Sequence, residues 1–75
     1  MKVEKRYKSE LLSFGKKLKQ LRQDRDMIQL DLEIKSGINR TEISKIENAQ
    51  KNIEFFTIVK LAVALDVSLA EFFQD

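Results

Sequence analysis

Apolar side chains recur along this chain at spacings of three and four, and the breaks in that rhythm divide it into short helices. Leu11, Phe14, Leu18 and Leu21 form one stripe, which predicts a first helix from a cap at Ser9 to about residue 25. Gly15 falls inside it at a cost of about 1 kcal/mol relative to Ala, which a close helix–helix approach would justify. Residues 1–8 lack the rhythm and are expected to be a flexible N-terminal tail, leaving 9–75 as a single domain. Leu32 and Ser36 lie four apart on a second segment, residues 29–36, which Gly37 stops. Ile38 is the first apolar residue beyond it, and Asn39 is a favoured N-cap for a third segment of about 40–48, with Ile43 and Ile46 three apart. Two short helices pinned by Leu32, Ile38, Ile43 and Ile46 across a Gly-containing turn form a helix-turn-helix unit over residues 29–47.

A connection at 49–54 leads to a fourth helix at about 55–65, with Phe55, Ile58, Leu61, Ala62 and Leu65 expected on its inner face. Asp66 or Ser68 then opens a short fifth helix whose Leu69 and Phe72 pack inward. No stretch alternates long enough to argue for a strand. The expected fold is all-α, a compact set of five helices around one core.

With Ile43 and Ile46 inward, the third helix turns Arg40, Thr41, Ser44 and Lys45 outward. Such side chains suit the edges of base pairs: Arg matches guanine O6 and N7, and Thr can donate, accept or meet a thymine methyl. Gln29, at the start of the second helix, can offer an amide and nearby backbone N–H groups to a phosphate. Asn39 joins it as a phosphate candidate, as do Lys51 and Asn52 in the following loop. Glu42 repels phosphate unless it accepts from cytosine or pairs with Arg40 or Lys45.

Composition narrows the function classes. A chain of 75 residues makes one small domain, and no run approaches the roughly 18 apolar residues of a membrane span. The charged start, MKVEKRYK, has no apolar stretch behind it, so no secretory signal is expected and a cytoplasmic location is. Zero Cys and zero His remove thiolate sites and the commonest metal ligand and general base. Nothing pairs an activated nucleophile with a base, so no enzyme, no metal and no cofactor is expected. The net charge is only +2, but its distribution is uneven. Residues 1–25 carry nine Lys/Arg against three Asp/Glu, whereas residues 26–75 carry five against nine. The basic third is either a solvated helix or a patch that attracts phosphate.

The series Phe14-Gly15, Leu18, Leu21-Arg22, Gln29, Leu32, Gly37-Ile38, Asn39-Arg40-Thr41, Ile43-Ser44, Ile46-Glu47, Leu61-Ala62 and Leu65 resembles the phage-repressor-like helix-turn-helix family. That family includes small transcriptional regulators, restriction-modification controller proteins and several antitoxins. The resemblance covers residues 14–73 and implies a repressor-like domain that reads double-stranded DNA with its third helix. It strengthens the phosphate role of Gln29 and implies an ion pair between Arg22 and Glu47, joining the first helix to the third. It also shows departures. Ile28 stands where a capping Ser, Thr or Asn is usual, Glu33 where Ala is usual, and Ala49 and Ile53 where Gly and Pro are usual. Asp26 replaces a helix-ending Gly. Glu33 is expected to bend outward, towards Lys45 or Arg40.

Phe56, Val59 and Val63 make a second apolar stripe on the fourth helix, and Phe73 adds to it. A two-fold contact would bury the same patch on both subunits, which predicts a homodimer on a near-palindromic operator. Leu30 and Ile34, four apart and unused by the core, leave a second function class open. It is an antitoxin-type interaction module that holds a protein partner through Leu30, Ile34 and Phe56.

Overall fold

The computed structural model describes residues 2–74. Four α-helices, α1 (Val3–Gln23), α2 (Gln29–Ser36), α3 (Arg40–Glu47) and α4 (Phe55–Leu65), are followed by a 3-10 helix, Leu69–Phe73. The fold class is the expected all-α one, but the fifth element is a 3-10 turn and not an α-helix. Five residues make fewer than two turns, and the first is held by Ser68 donating its backbone N–H to the Glu71 carboxylate at 2.9 Å.

The helix-turn-helix unit follows the sequence closely. α2 ends at Gly37, whose φ of 75° is left-handed, and its N–H donates to the Glu33 carbonyl at 2.8 Å. The Ser36 hydroxyl then accepts the Ile38 N–H at 3.1 Å, which feeds Ile38 into the core. Ile28 offers no side-chain cap to α2. The Asp31 carboxylate instead reaches back to the Ile28 N–H at 2.9 Å.

The N-terminal expectation needs correcting. Helix α1 opens at Val3, six residues before Ser9, so most of the expected tail is helical. Val3, Tyr7 and Leu11 extend the apolar stripe at intervals of four, and Arg6 donates to Glu10 at 2.7 Å one turn on. With no Gly or Pro to interrupt it, propagation upstream costs little. At the other end α1 stops at Gln23, and Asp26 takes a left-handed φ of 54° in the turn to α2. Arg25 ties that turn down, donating to the carbonyls of Leu65 at 3.0 Å and Leu21 at 2.9 Å.

One core serves all five elements. Leu18, Leu32, Ile43, Ile46, Leu61 and Leu65 are its fully buried members, joined by Phe14, Met27, Ile38, Ala62 and Phe72. Phe14 and Phe72 stack with ring centroids 4.9 Å apart, which seats the 3-10 helix on α1. α1 packs on α3 and the 3-10 helix, while α2 packs on α3 and α4. Phe55 departs from expectation. It is the first residue of α4 and stays 67% exposed: it shares a side of the helix with buried Leu61, Ala62 and Leu65, but no neighbouring element covers the first turn.

Ala49 holds a left-handed φ of 57° just after α3. An L-residue with a Cβ is strained there by about 1–2 kcal/mol. Part of that is returned when Gly is substituted, because Gly loses more chain entropy on folding. Ala49→Gly is therefore expected to stabilise by about 1 kcal/mol, raising Tm by roughly 4–8 °C. A thermal melt with Tm unchanged or lower would count against it.

Candidate nucleic-acid interface

Helix α3 is held at both ends. At its start Asn39 Oδ1 accepts the Thr41 N–H at 2.7 Å, the expected cap, which leaves the Asn39 amide as a free donor. The Arg40 N–H donates to Glu33 Oε1, also at 2.7 Å. Glu33 does bend outward, but to the backbone of Arg40 and not to a basic side chain. Its carboxylate serves the N-terminal end of α3, where negative charge is favourable.

At its far end α3 is locked to α1. Glu47 receives Arg22 as a fork: Arg22 Nε to Oε2 at 2.8 Å and Nη2 to Oε1 at 3.1 Å. Both side chains are buried, at 8% and 3% exposure. The third guanidinium nitrogen of Arg22 donates to the Met27 carbonyl at 2.6 Å. Beside this pair α1 passes so close to α3 that a Cβ on Gly15 would lie 2.5 Å from the Ile46 carbonyl oxygen and 2.6 Å from that of Glu47. The close approach that Gly15 required is therefore to the backbone of α3 itself.

Gln29 is less free than the sequence implied. Its amide donates to Glu47 Oε1 at 3.1 Å, so one amide hydrogen completes the buried network and the other is left for solvent or a ligand.

Between these anchors the outward face carries Arg40, Thr41 and Lys45, all exposed, with Ser44 and Glu42 half-buried. Asn39, Thr41, Glu42, Lys45, Gln50 and Lys51 line one cleft along α3 and the loop behind it. Four expected site residues, Asn39, Thr41, Lys45 and Lys51, thus meet. Arg40 and Ser44 stand outside the cleft, and Ser44 is approached by the Asn48 amide, 2.8 Å from its carbonyl oxygen. Gln50 was missed, because a lone polar residue in a loop gives no signal in sequence. Glu42 pairs with Lys51 at 3.1 Å, not with Arg40 or Lys45. Asn52 is exposed beside Lys51.

On α4, Phe56 and Val63 are exposed and Val59 is half-buried, and the three share a face. Phe73 is also exposed, but its ring packs towards α1, with its centroid 5.8 Å from Phe14. Nothing in the structure explains the exposure of Ile28, Leu30 and Ile34.

A short helix with an open polar face, fixed by a neighbouring helix across a Gly turn, defines a helix-turn-helix domain. The sequence model of the helix-turn-helix family matches residues 18–72, and the chain belongs to that family. Among known proteins it is 34% identical over 65 residues to Control protein C.MunI from Mycoplasma sp, covering 85% of this chain and 88% of that protein. Its structure is similar to that of the restriction-modification controller protein C.AhdI from Aeromonas hydrophila. That match has a TM-score of 0.83 at 34% identity, over 85% of this chain and 97% of the other. The controller protein C.Esp1396I, solved as a tetramer with its natural 35 base-pair operator, matches with a TM-score of 0.79 at 33% identity, over 85% and 84% of the two chains.

Proposed function

We propose that this protein is a sequence-specific DNA-binding transcriptional regulator of the controller type. It sets α3 in the major groove and acts as a homodimer on a near-palindromic operator. The observation that carries this reading is the open face of α3, Arg40, Thr41 and Lys45, aimed by two backbone caps at one end and the Arg22–Glu47 fork at the other. Similarity to control proteins, one of them solved on its operator, supports it. On this reading the protein is no enzyme and works in the cytoplasm. Among the described residues no helix is long and apolar enough to cross a membrane.

The roles divide by position. Arg40, Thr41, Ser44 and Lys45 read base edges, while Asn39, Gln29, Lys51 and Asn52 hold phosphates. Lys51 exchanges Glu42 for a phosphate at little cost, since an exposed pair is worth about 0–1 kcal/mol. Arg40→Ala is expected to cost about 1–3 kcal/mol on the cognate site and to relax preference at one base pair in each half-site. Lys51→Ala is expected to weaken all duplexes alike and to flatten the salt dependence by about one unit of slope for each phosphate no longer held. Isotherms on the chain's own upstream region and on a scrambled duplex, at several salt concentrations, separate the two. Equal loss on both duplexes for Arg40→Ala would make Arg40 a phosphate ligand.

Dimerisation follows from the apolar face of α4. Phe56 and Val63 are 65% and 74% exposed, and Lys60 Nζ lies 4.6 Å from the Phe56 ring centroid. A two-fold contact through α4 buries this face on both subunits and sets two α3 helices about 34 Å apart, one DNA turn. Phe56→Lys is expected to yield a monomer in sedimentation while leaving helix content intact. A wild-type monomer at tens of micromolar would exclude the dimer.

A further inference from the structure

Because α1 begins at Val3, its first turns carry charge beyond the region matched to the family. Residues 2–8 hold Lys2, Lys5, Arg6 and Lys8 against Glu4 alone, and all are exposed. The cations are not equivalent. Arg6 pairs with Glu10 at 2.7 Å in an exposed contact one turn along the helix, whereas Lys5 and Lys8 have no ion-pair partner among the described residues. Lys5 and Lys8, three apart, share a face of α1, and Arg6 lies round the helix from them.

That face leads to the DNA-facing loop. Glu4, Tyr7, Lys8 and Leu11 of α1 enclose one cleft together with Ala49, Gln50, Lys51 and Asn52, and Lys2, Glu4, Lys5 and Lys8 surround the next concavity along the helix. Gln50 and Lys51 also line the cleft of α3. One surface therefore runs from Lys45 through Lys51 and Asn52 to Lys8 and Lys5. Lys8 and Lys51 flank the same cleft, which Glu4 also lines, and Lys51 is held by Glu42 at 3.1 Å. That contact is exposed, so a backbone phosphate between the two ammonium groups displaces it at little cost.

We infer that Lys5 and Lys8 form an additional phosphate-binding strip, which holds the sugar-phosphate backbone of duplex DNA next to the phosphates contacted by Lys51 and Asn52. This rests on the proposed function and extends its footprint along the helix that anchors α3. The strip touches no base edge, so it adds affinity and salt dependence without sequence preference.

The test compares Lys5→Gln/Lys8→Gln with a charge-matched control, Arg6→Gln/Lys17→Gln, on the other side of α1, and with Lys5→Arg/Lys8→Arg. Gln favours helix, Lys5, Arg6 and Lys8 are exposed and Lys17 is half-buried, so far-UV circular dichroism should match wild type. Binding to the cognate upstream duplex and to a scrambled duplex is measured across a salt series. The Lys5/Lys8 Gln variant is expected to weaken both duplexes by the same factor, with a slope of log K against log salt shallower by about 0.9 for each phosphate released. The Arg variant should keep the wild-type slope, and the control should stay near it. If the Lys5/Lys8 Gln variant keeps wild-type slope while Arg40→Ala still loses the cognate site, the strip is overturned and the regulator reading stands. Equal losses in variant and control would also overturn it, as a general field effect. If the wild-type chain binds no duplex, the proposed function fails and the strip fails with it.

Discussion

Glu47→Ala is expected to cost about 3–5 kcal/mol of folding stability, because it strands a buried guanidinium. Arg22 is 7% exposed, and without Glu47 it keeps only the Met27 carbonyl as an acceptor. Gln29 loses its partner in the same step, since its amide donates to the same carboxylate. A domain of this length holds roughly 4–11 kcal/mol in total, so the loss is a large share of it. Tm should fall by more than about 10 °C. Glu54→Ala is the matched control: Glu54 is exposed, makes no side-chain cap, and should change stability by less than about 0.5 kcal/mol. Equal shifts in thermal or urea melts would show that the pair contributes nothing special. The cost belongs to the uncompensated charge and not to the pair as such. Replacing both partners together, Arg22→Met with Glu47→Leu, should therefore recover much of the loss.

The parts of this fold legible in the sequence are those fixed by local spacing. α2, α3 and α4 lie where their apolar repeats and their boundary residues, Gly37 and Asn39, place them. The first turns of α1 were not legible. Val3, Tyr7 and Leu11 carry a four-residue repeat there, but six charged residues among 2–10 obscure it. Phe55 was misassigned because the helical repeat cannot tell whether a neighbouring element covers the first turn. Arg25 illustrates a third kind of limit, since its acceptor, the Leu65 carbonyl, lies 40 positions away and belongs to the backbone.

The interface divides the same way. Which residues face outward on α3 follows from Ile43 and Ile46 facing inward. The pairing of Glu42 with Lys51, and of Glu33 with the Arg40 N–H, depends on how the loops fold back. Glu33 is the instructive case. A carboxylate at a close helix crossing looks destabilising until an unpaired N–H at the start of α3 is found within its reach. The Arg22–Glu47 pair was legible only through the family resemblance, because 25 positions separate its members.

Gly15→Ala tests whether α1 sets the position of α3 by direct backbone contact. In an isolated helix this change would be favourable, since Ala exceeds Gly by about 1 kcal/mol in helix propensity. Here the new Cβ would sit 2.5 Å from the Ile46 oxygen and 2.6 Å from the Glu47 oxygen. Both atoms are backbone, so no side chain can rotate aside, and the helices must separate. Overpacking of this kind costs about 1–3 kcal/mol and occasionally more. The sign of the effect is therefore opposite to that of propensity, and Tm should fall by at least several degrees. Gln20→Ala, at an exposed position of the same helix, should leave it nearly unchanged. Function should respond as well. Separation at Gly15 loosens the helix end held by Arg22 and re-aims the Arg40–Lys45 face. Well below the melting range, Gly15→Ala should then lose more affinity for the cognate duplex than for a scrambled one. A variant that melts at or above the wild-type temperature would show that the two helices have room to spare. A variant that melts lower yet binds the cognate site normally would show that α3 is aimed by its caps and the Glu47 fork alone.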